Sequence, residues 1–278
     1  MRILITGAHG MLGSALKRTL LMHDITAPEK HQLNVGNIDQ VEKYAKKIDL
    51  IIHLAAETDH EYCEQNPSQA YFINVSGTGN MVAIAKRLDI PILYMSTASI
   101  FNGILNKPYK TWNKPCPLNH YNKSKYYGEL IVQSHPKHFI VRAGWMFGGG
   151  ATLDKKFVNK IIKKINAGET EIKVADDCIG SPTYTEDLAT CILSLLDSDE
   201  YGIYHCVHPG EISRYHFAKS IIEILGIEKE VKIIPVSIED IKDEFPCKRT
   251  NYEVLESSWV LRDYKDALRS YIDDYFRP

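Results

Sequence analysis

The chain has 278 residues, of which 44% are hydrophobic and 24% are charged, and this composition excludes a largely disordered, collagenous or coiled-coil protein. Its length suits one extended domain, or one domain with a small lobe. The 33 Lys and Arg residues nearly balance the 35 Asp and Glu residues, giving a net charge of −2, so the sequence offers no basic surface for nucleic acid or for an anionic membrane.

The N-terminus begins with a short apolar run and not with a targeting segment. The run between Arg2 and Thr6 is far shorter than the apolar region of a signal peptide. No later run approaches the roughly 20 apolar residues of a membrane-spanning helix. We therefore expect a cytoplasmic protein that does not contact a membrane.

The segment 1–147 alternates short apolar runs with longer helix-patterned stretches, which is typical of a parallel sheet with crossover helices. The predicted strands are 2–6, 24–27, 50–54, 92–96 and 139–142. The predicted helices between them are 12–22, 39–47, 69–88 and 121–135. The fold class that follows is α/β, with a Rossmann-type doubly wound parallel sheet.

The pattern of predicted helices and strands changes after the three glycines at 148–150. The predicted helices of this part are 153–167, 185–196, 213–225 and 264–275, and the predicted strands are 172–174 and 203–207. We expect 148–278 to form a smaller C-terminal substrate lobe, with segments that return to the first domain. Lysines between 155 and 164 leave an apolar helix face free, so we interpret them as a solvated surface.

A G-x-x-G-x-x-G pattern over residues 7–13 lies between the first predicted strand and helix. Gly7 permits a tight turn, Gly10 allows the backbone to approach a pyrophosphate, and Gly13 allows close packing of helix and strand. The N-terminus of the helix supplies N–H donors for the phosphates. The residues of this loop that we expect to contact a dinucleotide are Gly7, His9, Gly10, Met11, Leu12 and Gly13.

The end of the second strand should contact the adenosine ribose of that dinucleotide. Glu29 is suited to accept from a 2′-hydroxyl, whereas Lys30 is suited to pair with a 2′-phosphate, so the choice between NADH and NADPH stays open. The other residues expected along the adenine and phosphate path are Asn34, Val35, Leu54, Ala55 and Ala56.

Tyr121 and Lys125 stand four residues apart, and hence on one face of a predicted helix. An ammonium close to a phenol lowers its pKa, so this pair is suited to deliver a proton to a carbonyl oxygen. Thr97 follows the fourth strand, where reacting groups gather in doubly wound sheets, and its hydroxyl can polarise the carbonyl. A second pair, Tyr215 and Lys219, lies in a helix with an apolar core face, and we interpret it as structural.

The glycine loop, the threonine after the fourth strand and the Tyr-x-x-x-Lys pattern together resemble the extended short-chain dehydrogenase/reductase superfamily, over essentially the whole chain. Within it, the chain most resembles the dTDP-4-dehydrorhamnose reductase family. The segments that carry this resemblance are 63–67 (Cys-Glu-Gln-Asn-Pro), 73–78 (Ile-Asn-Val-Ser-Gly-Thr), 101–103 (Phe-Asn-Gly), 141–145 (Val-Arg-Ala-Gly-Trp) and 176–184 (Asp-Asp-Cys-Ile-Gly-Ser-Pro-Thr-Tyr).

The resemblance implies reduction, by NADPH or NADH, of the 4-keto group of a nucleotide-activated 6-deoxyhexose. Tyr121 would donate the proton, Lys125 would bind the nicotinamide ribose, and Thr97 would bind the keto oxygen. Trp145 would border the sugar pocket, and Arg249 would hold the diphosphate, for which its guanidinium is well shaped. A homodimer is a further expectation from the superfamily.

Two segments depart from the family's usual pattern near the expected sugar. Residues 96–101 read Ser-Thr-Ala-Ser-Ile-Phe in place of Ser-Thr-Asp-Tyr-Val-Phe, and residues 55–61 read Ala-Ala-Glu-Thr-Asp-His-Glu in place of Ala-Ala-Tyr-Thr-x-Val-Asp. Thr58, His60 and Ser99 are therefore candidate substrate contacts. The sugar can accordingly differ from the rhamnose precursor.

Two other functions stay open at this point. Segment 97–101 also resembles that of sugar-nucleotide epimerases, which hold NAD tightly through their cycle. A non-catalytic, cofactor-binding regulatory subunit, similar to that of methionine adenosyltransferase, is the third candidate. A 4,6-dehydratase is disfavoured, because Ala98 and Ser99 stand where that group has an Asp-Glu pair.

The six cysteines and the histidines give no metal pattern. The cysteines are scattered and contain no C-x-x-C pair, so neither a disulfide framework nor a zinc site is indicated. No histidine set has a recognised ligand spacing. We expect reduced thiols and no metal.

Overall fold

The computed structural model describes residues 1–244 and 246–277. The strands are β1 (Arg2–Thr6), β2 (Asp24–Thr26), β3 (Leu50–His53), β4 (Ile92–Thr97), β5 (His138–Ala143), β6 (Met146–Phe147), β7 (Glu171–Ala175), β8 (Ile179–Gly180), β9 (Thr183–Tyr184), β10 (Gly202–His205), β11 (Ile212–Ser213), β12 (Lys232–Val236) and β13 (Tyr252–Glu253). The helices are α1 (Met11–Thr19), α2 (Ile38–Tyr44), α3 (His60–Gln65), α4 (Pro67–Tyr71), α5 (Gly77–Leu88), α6 (His120–Val132), α7 (Gly150–Leu153), α8 (Phe157–Asn166), α9 (Thr185–Leu196), α10 (Arg214–Leu225) and α11 (Tyr264–Tyr275).

Six parallel strands form the main sheet, in the order β2-β1-β3-β4-β5-β10. Its central strands are buried on both faces, which explains their nearly continuous apolar sequences. Helices α1 and α9 cover one face, and α2 and α5 cover the other. The predicted Rossmann-type doubly wound sheet is confirmed.

The C-terminal part of the chain has its own hydrophobic core but also completes the main sheet. The predicted strand at 203–207 is β10, which pairs with β5 as the sixth strand, and α9 packs against α1. The lobe's remaining strands form small sheets, β11-β8-β13, β7-β12 and β6-β9. Residues of the lobe core include Phe147, Val158, Ile162, Phe217, Ile221 and Leu268. The expected division of the chain at residue 147 stays a prediction.

Several helices differ from the predicted pattern for local physical reasons. The predicted helix 69–88 is interrupted by a π-helical segment, Phe72–Ser76, between α4 and α5. The predicted helix 153–167 is split at Asp154, whose buried carboxylate accepts hydrogen bonds from the Tyr271 hydroxyl (3.0 Å) and the Lys156 N–H (2.7 Å). The six-residue α3 was not predicted, because it is too short to show a helical period.

Helix α6 is attached to the sheet by a buried ion pair. The guanidinium of Arg142, on β5, donates two hydrogen bonds to the carboxylate of Glu129, at 2.9 and 2.7 Å. The same guanidinium also donates to the carbonyl of Thr111 (3.0 Å) and lies 3.2 Å from Nε2 of His205. Both charged side chains are sealed from solvent, with 2% and 0% exposure.

In the part of the chain that the structure describes, no helix is long and apolar enough to cross a membrane.

Removing one partner of this pair should destabilise the whole fold. Glu129→Gln leaves the Arg142 charge buried without its counterion, so we expect the free energy of unfolding to fall by about 3–5 kcal/mol. Urea denaturation followed by circular dichroism measures it. Glu239→Gln breaks an exposed pair with Lys242 and is the matched control, which should leave the transition unchanged. Equal, small effects of both substitutions would contradict this prediction.

Candidate active site

The candidate site lies at the carboxyl edge of the main sheet, where the strand order reverses. Strand β1 lies between β2 and β3, so the chain leaves β1 on one side and returns on the other. Ligands of open α/β sheets bind in the crevice that such a reversal creates. The loops after β1, β3 and β4 all open into this crevice.

The glycine loop after β1 has the geometry that its sequence predicts. Gly7 has a φ of +72°, and a Cβ there would lie 2.8 Å from the Ala55 nitrogen. A Cβ on Gly13 would lie 2.5 Å from the Cα of Ala8, so only glycine fits this helix-to-strand contact. Gly10 is exposed, and a Cβ there would meet only the Gly7 carbonyl oxygen, at 3.4 Å.

The N-terminus of α1 is open to an anion. Gly10 is its N-cap residue, no side chain caps it, and its first turn contains no acidic residue. The free N–H groups and the positive end of the helix dipole therefore face the crevice. Exposed His9 and half-buried Met11 flank this position, whereas Leu12 is buried in the core. This open cradle fits the pyrophosphate of a dinucleotide.

The residues after β2 and β3 lie beside the glycine loop. Glu29 and Lys30 are both exposed, and His31 is 3.2 Å from the Glu29 carboxylate. Exposed Asn34 accepts the N–H of Gly36 (3.0 Å) and so shapes the turn before α2. Buried Val35 packs against Gly77, where a Cβ would lie 2.6 Å from it. Residues 54–56 continue from β3, and Ala55 donates its N–H to the Thr6 hydroxyl at 3.2 Å.

Thr97 ends β4 with its hydroxyl directed into a tight turn. Its Oγ1 accepts the N–H of Ser99 (3.2 Å) and donates to the Ser99 hydroxyl (3.3 Å). Thr97 is half-buried, and Ser99 is 7% exposed. The threonine hydroxyl also faces Tyr121 and lowers the pKa of that phenol.

Tyr121 lies on the buried face of α6 and contacts Cys63 and Ala70. Burial raises the pKa of its hydroxyl well above the ordinary value, and the nearby Cys63 acts in the same direction. The structure thus corrects the expectation of a lowered pKa for Tyr121, because burial is the largest effect on it. A phenol that keeps its proton at neutral pH is suited to donate it. The His60 ring also contacts Tyr121, with 4.4 Å between the ring centroids.

Lys125 is 4% exposed and lies one helical turn after Tyr121. Its ammonium is 4.1 Å from the centroid of the Tyr94 ring, a cation–π contact. Burial lowers its pKa to about 7, while the charge of Glu129, one turn further along α6, opposes this shift. Lys125 in turn helps burial to hold the pKa of His53 at about 3.

Sequence reasoning did not assign a role to Asn74, which ties the site together. Its Oδ1 accepts the N–H of Glu57 (2.8 Å), and its Nδ2 donates to the Glu57 carbonyl (3.0 Å) and to Ser124 Oγ (2.9 Å). Asn74 therefore fixes both the loop after β3 and the start of α6. It stands in the π-helical segment, and such segments are frequent at functional sites.

Trp145 forms the far wall of the crevice with residues of the lobe. Its Nε1 donates to the Glu253 carboxylate (2.9 Å), and the Arg214 guanidinium lies 3.5 Å from the ring centroid. Burial lowers the pKa of Arg214 to about 10, against the charge of Glu253. Glu253 also raises the pKa of Tyr121, so Trp145 and Glu253 border the same site as the Tyr121 phenol. Arg214 and Glu253 were not predicted, because these contacts join distant segments.

Two more basic residues border the same crevice. Arg249 pairs with Glu61 at 2.6 Å. Lys156 donates to the hydroxyl of exposed Thr58 at 3.3 Å, which brings the lobe against the loop after β3. The charges of Arg249, Lys156 and Arg214 all lower the pKa of His60. The three charges are therefore all close enough to His60 to affect its pKa, which places them around the same part of the crevice.

His53 at the end of β3 has structural partners. His53 is buried, with Nδ1 2.7 Å from the Thr6 hydroxyl and Nε2 3.2 Å from that of Thr78. Within the residues that the structure describes, no group of three His, Cys, Asp or Glu side chains is arranged to hold a metal ion.

The fold and this grouping of side chains are those of an extended short-chain dehydrogenase/reductase. Comparison with known families then finds that the RmlD substrate binding domain matches residues 1–275. The chain belongs to this family, whose members are NAD(P)-dependent sugar-nucleotide reductases.

Named relatives are similar over nearly the whole chain. A dTDP-4-dehydrorhamnose reductase of Mycolicibacterium smegmatis is 31% identical, covering 96% of this chain and 84% of that protein. The spore coat polysaccharide biosynthesis protein SpsK of Bacillus subtilis is 32% identical, covering 98% and 97%. The crystal structure of dTDP-4-dehydrorhamnose reductase from Bacillus anthracis in complex with NADP has a TM-score of 0.92 and 32% identity, covering 98% and 99%.

Lys125 should leave a signature in the pH dependence of stability. Its pKa is about 7 in the folded chain, against an ordinary value of 10.5, so between these values the unfolded chain binds one more proton. The contribution of this group to the free energy of unfolding therefore rises with pH, by about 1.4 kcal/mol per pH unit. Urea unfolding of the wild type and Lys125→Met across this range measures the difference. Parallel pH profiles for the two proteins would show an ordinary pKa.

Proposed function

We propose that this protein reduces, with NADPH or NADH, the 4-keto group of a nucleotide-activated 6-deoxyhexose, as in dTDP-L-rhamnose synthesis. The observation that carries this proposal is the contact between the Thr97 and Tyr121 hydroxyls at the carboxyl end of β4. Lys125 is buried one helical turn after Tyr121, and an open glycine loop follows β1 of the same sheet. The similarity to dTDP-4-dehydrorhamnose reductases supports the substrate class. A cytoplasmic location and a homodimer stay predictions.

In this proposal the protein's own groups bind the keto oxygen and supply the proton. Thr97 and Tyr121 direct hydroxyls to the same point, where they can bind a carbonyl oxygen together. Burial keeps Tyr121 protonated until the oxygen gains negative charge, and the phenol then gives up its proton as a general acid. The Lys125 ammonium, buried on the same helix face, stabilises the phenolate that remains.

The glycine loop would hold the pyrophosphate of the cofactor, which supplies the hydride when it is bound. The cradle at Gly10 and the uncapped N-terminus of α1 support this role. Glu29 and Lys30 are both exposed at the end of the adenosine path, so the structure is compatible with either dinucleotide. Segments 34–35 and 54–56 would line the rest of that path.

The substrate's diphosphate would lie among the three cations of the crevice, Lys156, Arg214 and Arg249. All three charges lower the pKa of His60. Lys156 contacts the Thr58 hydroxyl and Arg249 pairs with Glu61, which are partners that a phosphate can replace, and Arg214 lies over the Trp145 ring. Guanidinium groups are well shaped for phosphate oxygens. The sugar would then lie between this cluster and Tyr121, bordered by Thr58, His60, Ser99 and Trp145.

The first test is NADPH or NADH oxidation by the purified protein with dTDP-4-dehydrorhamnose, followed by absorbance. Tyr121→Phe removes only the proton donor, so we expect kcat to fall about 10²- to 10⁴-fold. Binding of NADPH, measured by fluorescence titration, should be nearly unchanged.

Other outcomes of this assay discriminate between functions. Cofactor that survives purification, with no net oxidation, would favour a sugar-nucleotide epimerase. No turnover in the wild type, together with an unchanged activity of a partner enzyme when Tyr121→Phe replaces the wild type, would favour a non-catalytic subunit. Either result would overturn the reductase proposal.

Substitutions at two glycines of the loop should distinguish an effect on folding from an effect on cofactor binding. Gly10→Ala adds a methyl group that the protein itself tolerates but that a bound pyrophosphate does not, so we expect normal stability and at least about five-fold weaker NADPH binding. Gly13→Ala forces a contact with the Ala8 backbone and should lower the free energy of unfolding by about 1–3 kcal/mol. Thermal denaturation and NADPH titration of both variants measure these effects. Unchanged NADPH affinity in Gly10→Ala would place the pyrophosphate elsewhere.

A further inference from the structure

His60 is a side chain of the crevice whose hydrogen-bonding state is set by its neighbours. Its ring contacts the ring of Tyr121, with 4.4 Å between centroids and 45° between the ring planes. The imidazole is partly exposed to the crevice. It stands in the segment that departs from the usual family pattern, at a position where valine is usual.

The orientation of the Asn119 amide determines which nitrogen of His60 carries a proton. Asn119 Oδ1 accepts the N–H of Asn122 at 2.9 Å, and Asn119 Nδ2 donates to the Lys248 carbonyl at 2.9 Å. These two bonds leave no freedom to exchange the amide oxygen and nitrogen. The same Nδ2 lies 3.3 Å from His60 Nδ1. Since an amide nitrogen only donates, His60 Nδ1 accepts and carries no proton.

The surroundings of His60 also keep its ring neutral. Burial is the largest effect, and the charges of Arg249, Lys156 and Arg214 add to it, so the pKa of His60 falls to about 3 although Asp59 acts in the opposite direction. A neutral imidazole with a bare Nδ1 has its proton on Nε2. His60 is therefore a donor at Nε2 and not a charged group at physiological pH.

The Nε2–H group has no partner within the described part of the protein. The hydrogen bond that His60 makes there is the one at Nδ1, and Nε2 is not among the buried polar atoms that lack a partner. This donor is thus exposed at the crevice and unpaired among the residues that the structure describes. A donor held in this way beside the proton-donating phenol is placed to bind a polar atom of the sugar.

We propose that His60 is a specificity-determining residue, which donates a hydrogen bond from Nε2 to a hydroxyl oxygen of the bound sugar. This inference rests on the proposed function. A valine at this position cannot make the bond, so His60 would favour a sugar that presents a hydroxyl there. A sugar without that hydroxyl would leave the Nε2–H unpaired, and a site built to bind a hydroxyl discriminates strongly against such an analogue.

The test compares binding of dTDP and of dTDP-L-rhamnose, by calorimetry, to the wild type saturated with NADP⁺ and to two variants. His60→Phe keeps an aromatic ring against Tyr121 but removes the donor, and His60→Gln keeps an N–H donor at a similar distance from the backbone. We expect His60→Phe to weaken dTDP-L-rhamnose binding about three- to ten-fold, with dTDP binding unchanged. His60→Gln should restore most of the loss.

Nuclear magnetic resonance of ¹⁵N-histidine-labelled wild type checks the state of the ring directly, with His60 assigned from His60→Gln. We expect a neutral ring with its proton on Nε2 and no titration near the ordinary pKa of about 6.5. The ¹⁵N resonance of His60 Nε2 should shift when dTDP-L-rhamnose is added and should not change when dTDP alone is added.

The outcomes separate the inference from the proposed function. A proton on Nδ1, a titration near the ordinary pKa, or an equal loss of both ligands in His60→Phe overturns the role of His60 while the reductase proposal stands. Wild-type protein that binds neither ligand overturns the proposed substrate class, and this assignment with it.

Discussion

The geometry of the site depends on one buried interaction, the ion pair between Glu129 on α6 and Arg142 on β5. Both groups are closed off from water, where an unpaired charge is strongly destabilising, so the helix and strand have one favourable arrangement. Tyr121 and Lys125 lie on the same helix face, two turns and one turn before Glu129. Because the helix is rigid, the ion pair at one end of this face sets where the phenol meets the end of β4.

The other end of α6 is held by two asparagines that join segments distant in sequence. Asn74 connects α6, through Ser124, to the loop after β3. Asn119 caps α6 and holds the segment around Lys248 from the C-terminal lobe. The start of the helix is thus the point where the cofactor domain, the loop after β3 and the lobe meet. Asn74 therefore links the loop after β3 to the helix that carries Tyr121.

Sequence reasoning predicted the main sheet and the positions of the glycine loop, Thr97 and Tyr121 in it, because these follow local rules. Hydrophobic periodicity, glycine spacing and the Tyr-x-x-x-Lys pattern can each be read within a short segment. The fold class then places the glycine loop at the end of β1 and Thr97 at the end of β4. The contacts of Arg214 and Glu253 with Trp145 could not be predicted from the sequence, since they join segments up to 108 residues apart. The prediction of a lowered pKa for Tyr121 was wrong for a related reason: sequence spacing does not show the burial that raises this pKa.

Burial is the largest effect on the pKa values of both Tyr121 and Lys125. It raises the pKa of the phenol and lowers that of the ammonium, so both groups favour their neutral forms. In the proposed reaction the phenol gives up its proton, and a negative charge near Lys125 would favour the ammonium. Glu129 already acts in that direction. In the proposed reaction, Glu129 therefore favours the same charged form of Lys125 that a phenolate at Tyr121 would require.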